Sequence, residues 1–149
     1  MRLFNSLDVS ASGLIASRVR MDVISSNLAN VNTTRTENGE PYRRKQVVFE
    51  EYKPNFQQIL QRQMKANNSN GVHISRIVQD PSPFKLIYDP THPDALQEGE
   101  LAGYVQMPNV DVVSEMVDMI SATRAYEANV TAVNSAKSMA MKALEIGRG

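Results

Sequence analysis

Between Pro108 and Gly147 the chain carries neither glycine nor proline, and this unbroken run constrains the fold more than any other feature. Within it Val112, Met116, Met119, Thr123, Tyr126, Val130, Val133, Lys137, Ala140 and Leu144 recur in alternating steps of four and three. Only Thr123 and Lys137 interrupt the apolar character of that line. The spacing is that of a narrow helical stripe, and no strand-like alternation competes with it. About 35 residues at about 1.5 Å each make a helix on the order of 50 Å long. A helix of that length with so narrow a stripe requires a partner.

Residues 1–32 supply one. Leu3, Leu7, Leu14, Met21, Ile24, Leu28 and Val31 fit a heptad stripe, with Ser10 and Ser17 in its remaining places and Ala11, Ile15 and Val19 on its flanks. Gly13 costs about 1 kcal/mol relative to alanine inside a helix. Either a long helix tolerates it, or a neighbouring backbone passes close there, where Ser10, Ser12 and Ser17 also leave little bulk. Asn27, Asn30 and Asn32, followed by Thr33 and Thr34, form a stop signal, because asparagine competes for backbone hydrogen bonds. Two helices at opposite ends of the chain should pair. Ser10, Ser17, Thr123 and Lys137 weaken the seam in isolation, so the pattern suits a subunit that orders on assembly; a modest hairpin within one chain is the plainer alternative.

Residues 33–107 change character. Tyr42, Val47, Val48, Phe49 and Tyr52 are strand formers following an Asn38-Gly39 turn, and Val72, Ile74, Ile77 and Val78 predict a second strand. Phe84–Tyr88 is a third short apolar run, and residues 89–109 read as loop. Phe56–Lys65 is ambiguous between helix and strand. The expected fold is mostly α with a small antiparallel β unit (α+β). Residues 1–32 and 108–149 form a coiled-coil-like helical hairpin, and 33–107 the β-rich domain between them.

Composition narrows the chemistry. Lys+Arg and Asp+Glu are both 16, so no global basic field attracts nucleic acid. Cysteine is absent, which excludes thiol catalysis, cysteine zinc sites and disulfides. Tryptophan is absent and aromatics are 6%, so a large self-contained core is not expected and stability should lean on association. No run approaches the roughly 20 apolar residues of a membrane span. Asn5, Ser6 and Asp8 interrupt any apolar stretch after Arg2, against a cleaved secretory signal.

The basic run Tyr42-Arg43-Arg44-Lys45 is flanked by Glu37, Glu40, Glu50 and Glu51 and reads as a solvated, ion-paired strand edge rather than a phosphate site. Asp89-Pro90-Thr91-His92-Pro93-Asp94 groups metal-ligand residue types, but its two prolines favour a turn. His73, in a predicted strand, reads as structural. Glu115, Asp118 and Glu127 share the C-terminal helix, where Arg124 and Glu127 are spaced for an ion pair, and nothing in the sequence desolvates these carboxylates. No phosphate loop or nucleophile elbow is present. The expectation is a non-enzymatic protein without cofactor, metal or small-molecule substrate.

Several segments together resemble one family. Ser12-Gly13-Leu14 and Asn27-Leu28-Ala29-Asn30-Val31-Asn32-Thr33 are similar to the N-terminal signature of bacterial flagellar rod and hook proteins. Tyr42–Lys45, Tyr88-Asp89-Pro90-Thr91-His92-Pro93-Asp94-Ala95, Gly103-Tyr104-Val105 and Pro108-Asn109-Val110-Asp111 extend the likeness. Glu115-Met116-Val117, Arg124-Ala125-Tyr126-Glu127-Ala128-Asn129-Val130 and Ile146-Gly147-Arg148 complete it across nearly the whole chain. Leu96–Ala102 looks longer than the family's usual link, and Thr34–Asn38 less rich in glycine and proline. The resemblance implies a structural subunit of the proximal rod, with both terminal helices in the inner layer of a helical tube that crosses the periplasm and transmits torque to the hook. It implies contacts with copies of itself, other rod proteins and the flagellar type III export apparatus, with export lacking signal cleavage and membrane insertion. A cytoplasmic helical adaptor or export chaperone is the alternative from another class.

Overall fold

A computed structural model describes residues 2–51 and 71–147; Tyr52 and the segment Phe56–Lys65 lie outside these. Two long helices, α1 (Arg2–Ala29) and α2 (Val112–Ile146), flank four short strands, β1 (Lys45–Glu51), β2 (Val72–Gln79), β3 (Lys85–Tyr88) and β4 (Tyr104–Met107). The α+β class expected from the sequence is the one observed. Among the described residues, no helix is long and apolar enough to cross a membrane.

Each helix ends where local chemistry ends it. Asp111, extended at φ −111°, caps α2: its carboxylate accepts the Ser114 backbone N–H at 3.1 Å and the Ser114 hydroxyl at 2.6 Å. At the far end the Gly147 N–H donates to the Ala143 carbonyl. The α1 stop is asparagine chemistry, as expected. The Asn30 amide donates to the Ser26 carbonyl at 2.8 Å and its oxygen accepts the Thr33 hydroxyl at 3.2 Å.

The helices run antiparallel. Moving up α1 from Gly13 through Met21 to Asn27, the partners on α2 fall from Asn129 through Thr123 to Glu115. The seam residues are mostly small: Ala16, Ser17, Ala122 and Ala136 are buried. A Cβ on Gly13 would stand 2.9 Å from the Asn129 amide nitrogen, so the close neighbour there is a side chain, not a backbone. Small side chains let helices approach toward the short end of the usual 8–10 Å spacing, while each buries little apolar area. The larger apolar core gathers at one end, where Val23 and Ile24 of α1 are buried, as are Tyr42, Val105, Pro108 and Val110.

Among the described residues the β region is two separate two-stranded sheets rather than one unit. β1 and β2 pair antiparallel from Lys45↔Gln79 to Glu51↔Val72, with an irregularity between Val48 and Phe49. This hairpin lies along α1, held at both ends. Asn27 grips Lys45, and the Ser12 hydroxyl accepts the Val72 N–H at 3.1 Å. From Ser12 to Asn27 the helix rises about 22 Å, and the six steps of β1 from Lys45 to Glu51 extend about 20 Å, so the lengths are close.

β3 and β4 pair from Lys85↔Met107 to Tyr88↔Tyr104. β4 corrects the reading of residues 89–109 as loop: four residues between Gly103 and Pro108 are too few to show an alternation in sequence. Leu96 brackets the start of β4, accepting the Gly103 N–H at 2.8 Å and donating to the Tyr104 carbonyl at 3.0 Å. The Leu96–Ala102 segment thereby folds back on itself, turning at Gly99 (φ +92°).

Gly103 has φ +82°, and a Cβ there would stand 2.8 Å from the Tyr88 ring, which packs edge-on against Tyr104. Gly103→Ala should destabilise the fold by about 1–2 kcal/mol, the usual left-handed penalty, plus the cost of moving Tyr88. Urea denaturation checks this, and an unchanged midpoint contradicts it.

Candidate functional site

The two helices and β1 meet at one buried polar clasp. Asn27, 1% exposed, satisfies its whole side-chain hydrogen-bonding capacity within the chain. Its amide nitrogen donates to the Lys45 carbonyl at 2.9 Å and to Glu115 Oε2 at 3.0 Å. Its oxygen accepts the Lys45 N–H at 2.9 Å and the Tyr42 hydroxyl at 3.0 Å. To β1 it behaves as a neighbouring strand would.

Glu115 is 0% exposed, and its other oxygen accepts from Arg44 Nε. The Arg44 guanidinium also reaches Asp118 at 3.3 Å and Asp80 at 3.9 Å, and Arg20 closes the line by donating to Asp118 at 3.1 Å. Asn109 ties this node to the turn after β2. Its oxygen accepts the Arg44 backbone N–H at 2.8 Å, and its nitrogen donates to the Asp80 and Ser82 carbonyls.

Two sequence readings are corrected here. Arg44 belongs to no solvated edge: it spans from β1 to a fully buried carboxylate. Glu115 is desolvated after all, by packing against Asn27 and Arg44 that lie far from it in sequence. Arg43, by contrast, stacks on Phe84 at 4.2 Å to the ring centroid. The clasp was missed because its members are polar and scattered. The signal that could have found it is heptad spacing of polar and small residues: Gly13, Arg20 and Asn27 on α1, and Glu115, Ala122, Asn129 and Ala136 on α2.

The apolar stripe read from α2 lies beside the seam rather than on it. Val112, Met116 and Leu144 are exposed, Tyr126 is borderline at 37%, and Met119, Val130 and Val133 are half-buried. On α1, Ile24 is buried and Leu7, Leu14, Met21 and Leu28 are half-buried, as is Val31 just beyond its end; the Leu3 side chain lies outside those described.

The other signature residues hold turns and close approaches. Ser12 receives the start of β2, and Gly13 admits Asn129, whose amide donates to the Ala125 carbonyl at 2.9 Å. Asp89 accepts from the Thr91 backbone and hydroxyl, and the Asp94 N–H donates to His92 Nδ1, so this stretch with Pro90 and Pro93 is a turn. It docks on the segment after α1 through the Thr34 hydroxyl, which donates to Asp94 at 2.7 Å. Pro108 is buried; Asn32, Tyr88, Arg124 and Glu127 are exposed, with Arg124 and Glu127 paired at 3.0 Å as their spacing predicts.

Among the described residues, three carboxylates are held below the usual range. Asp80 is lowered by the Ser82 hydroxyl and backbone N–H, then by the Arg44 and Arg43 charges. The Thr91 hydroxyl and backbone N–H act likewise on Asp89, and those of Ser114 on Asp111.

The arrangement joins three elements and presents no assembled catalytic pair. Comparison with known proteins gives the class. Residues 7–35 match the family described as flagella basal body rod protein, and residues 101–146 match the flagellar basal body rod FlgEFG protein C-terminal family. Over 99% of its length the chain is 58% identical to the flagellar basal-body rod protein FlgC of Bacillus subtilis, covering 100% of that protein. The FlgC proteins of Borreliella burgdorferi and Salmonella typhimurium are 49% and 40% identical, again over their full length. The chain belongs to the FlgC family of flagellar basal-body rod proteins.

Removing one partner of a buried pair strands the other. Glu115→Ala should therefore lose about 3 kcal/mol of stability, and Glu115→Gln less, because Asn27 keeps an acceptor and Arg44 keeps Asp118 and Asp80. Urea unfolding of the two variants checks the order. Because the lowered carboxylates bind fewer protons in the folded state, their stabilisation is present above the ordinary carboxylate range, near pH 4. It is lost as pH falls through the lowered values. Asp80→Asn should flatten the acid limb of stability against pH; an unaltered limb would count against Asp80 as a contributor.

Proposed function

We propose that this chain is a structural, non-enzymatic subunit of the proximal rod of the bacterial flagellar basal body. The observation that carries the reading is 49–58% identity to FlgC proteins over essentially the full length, with family matches falling on both terminal helices. Residues 1–32 and 108–149 form the rod core, and 33–107 is carried on it. The exposed apolar residues of α2, from Val113 and Met116 to Leu144, become buried between subunits, where each large side chain contributes about 1.5–3 kcal/mol. Packed among copies of itself and other rod proteins, the tube spans the periplasm and transmits torque from motor to hook. A small-residue seam keeps the free chain only modestly stable, which suits passage through the flagellar type III export apparatus without cleavage of a signal.

Mass spectrometry of detergent-isolated hook–basal bodies, beside the soluble cytoplasmic fraction, tests this. The expected result is intact chain beginning at or near Met1 in the basal bodies. Recovery only from the cytoplasm of flagellated cells would replace the rod reading with the adaptor. Val130→Asp or Tyr126→Asp should abolish rod assembly and swimming, and normal motility of both would remove these residues from the assembly contact.

A further inference from the structure

The faces of α1 and α2 turned away from their seam carry matched strips. On α1 the exposed residues Ala11, Ile15, Arg18, Asp22, Ser25 and Ala29 follow one another in alternating steps of four and three. On α2 the exposed residues Val113, Val117, Ile120, Arg124 and Glu127 advance in the same alternation. Each set therefore forms a single line on its helix. Among the described residues neither Arg18 nor Asp22 forms a salt bridge, and Val113, Val117 and Ile120 are 70%, 58% and 60% exposed.

Laid antiparallel with Asp22 opposite Arg124, the two strips stay in step. Arg18 then falls opposite Glu127, so opposite charges face each other in both central layers. Beyond them Ser25 meets Ile120 and Ala29 meets Val117, small against large, and on the other side Ile15 meets Thr131. We propose that α1 of one copy and α2 of the next form a heterologous antiparallel contact in this register. The proposal deepens the rod reading and rests on it, naming a second copy of this chain as the occupant of the outer α2 face.

The symmetric alternatives serve the same residues less well. An α1–α1 contact also pairs Arg18 with Asp22, but leaves Val113, Val117 and Ile120 in water. An α2–α2 contact built on Arg124 and Glu127 sets those three against Thr131, Asn134 and Ser138. A heterologous contact leaves one unused face at each end of a pair, so it propagates rather than closing. The exposed ion pairs contribute register and partner choice more than affinity, and Ile120 against Ser25 with Val117 against Ala29 supplies the buried area.

The absence of cysteine makes the register testable by cross-linking. Full-length chains carrying Ala29→Cys or Val117→Cys singly are mixed and oxidised, at a concentration where the chain self-associates. A disulfide-linked pair is expected in the mixture, at about tenfold the yield of either chain alone, because a bridge needs Cα atoms within about 7 Å. An Ala11→Cys chain mixed with Val117→Cys should give no comparable product. Equal yields from the two mixtures, or none from either, would overturn the register. As a second measure, Arg18→Glu should weaken self-association about tenfold and regain it on mixing with Glu127→Arg. Rescue only by Asp22→Arg on the same chain would establish the α1–α1 contact instead. Repeating the cross-link in isolated basal bodies separates the two readings. Basal bodies that contain the chain without the cross-link refute this interface and leave the rod subunit standing. Cross-linking in solution with no chain in basal bodies does the reverse.

Discussion

A single buried carboxylate joins the parts of this fold. Glu115 has no access to water, and it is tolerable there because Asn27 and Arg44 bring donors to it from α1 and the start of β1. A buried charge that must be met from two other elements acts as a geometric condition. Only one mutual placement of α1, α2 and β1 satisfies it, and near misses leave an ion unpaired in an apolar setting. Hydrophobic contact alone would not impose this, because the seam is lined by Ala16, Ser17, Ala122 and Ala136, whose smooth surfaces let helices slide past each other. The small residues provide proximity, and the clasp provides register.

The same arrangement explains why the β region is built as two small sheets. Neither two-stranded sheet is expected to stand alone. The β1–β2 hairpin is held to α1 at Asn27 and Ser12, and the β3–β4 hairpin is tied to the start of α2, where Lys85 Nζ donates to the Val110 carbonyl at 2.8 Å. Each sheet borrows its stability from a helix.

Much of this was legible in the sequence. The absence of breakers after Pro108 marked α2, the asparagines ended α1, and clustered strand formers marked β1 and β2. What escaped was of two kinds. β4 is too short to display a period. The seam could not be found by hydrophobicity, because its heptad positions carry Gly13, Arg20, Asn27, Glu115 and Asn129, while Val113, Val117 and Ile120 point to solvent. Hydrophobicity alone need not mark the faces that a chain buries within itself. In the sequence Asn27 reads only as a signature residue and a helix stop; its role as a fully satisfied hub depends on Lys45 and Glu115, whose proximity no local pattern reveals.

Because α1 and α2 are antiparallel and clasped where the first ends and the second begins, everything from Thr33 to Met107 departs and returns through one doorway. The closure cost of such a loop grows only slowly with its length. Apart from the residues that the clasp and the core use, its contents can be enlarged, trimmed or exchanged with little effect on the helical pair beneath. Relatives built on the same pair could therefore differ in girth and outer contour while sharing one inner frame, with the doorway at Asn27, Arg44 and Glu115 as the part that must stay the same.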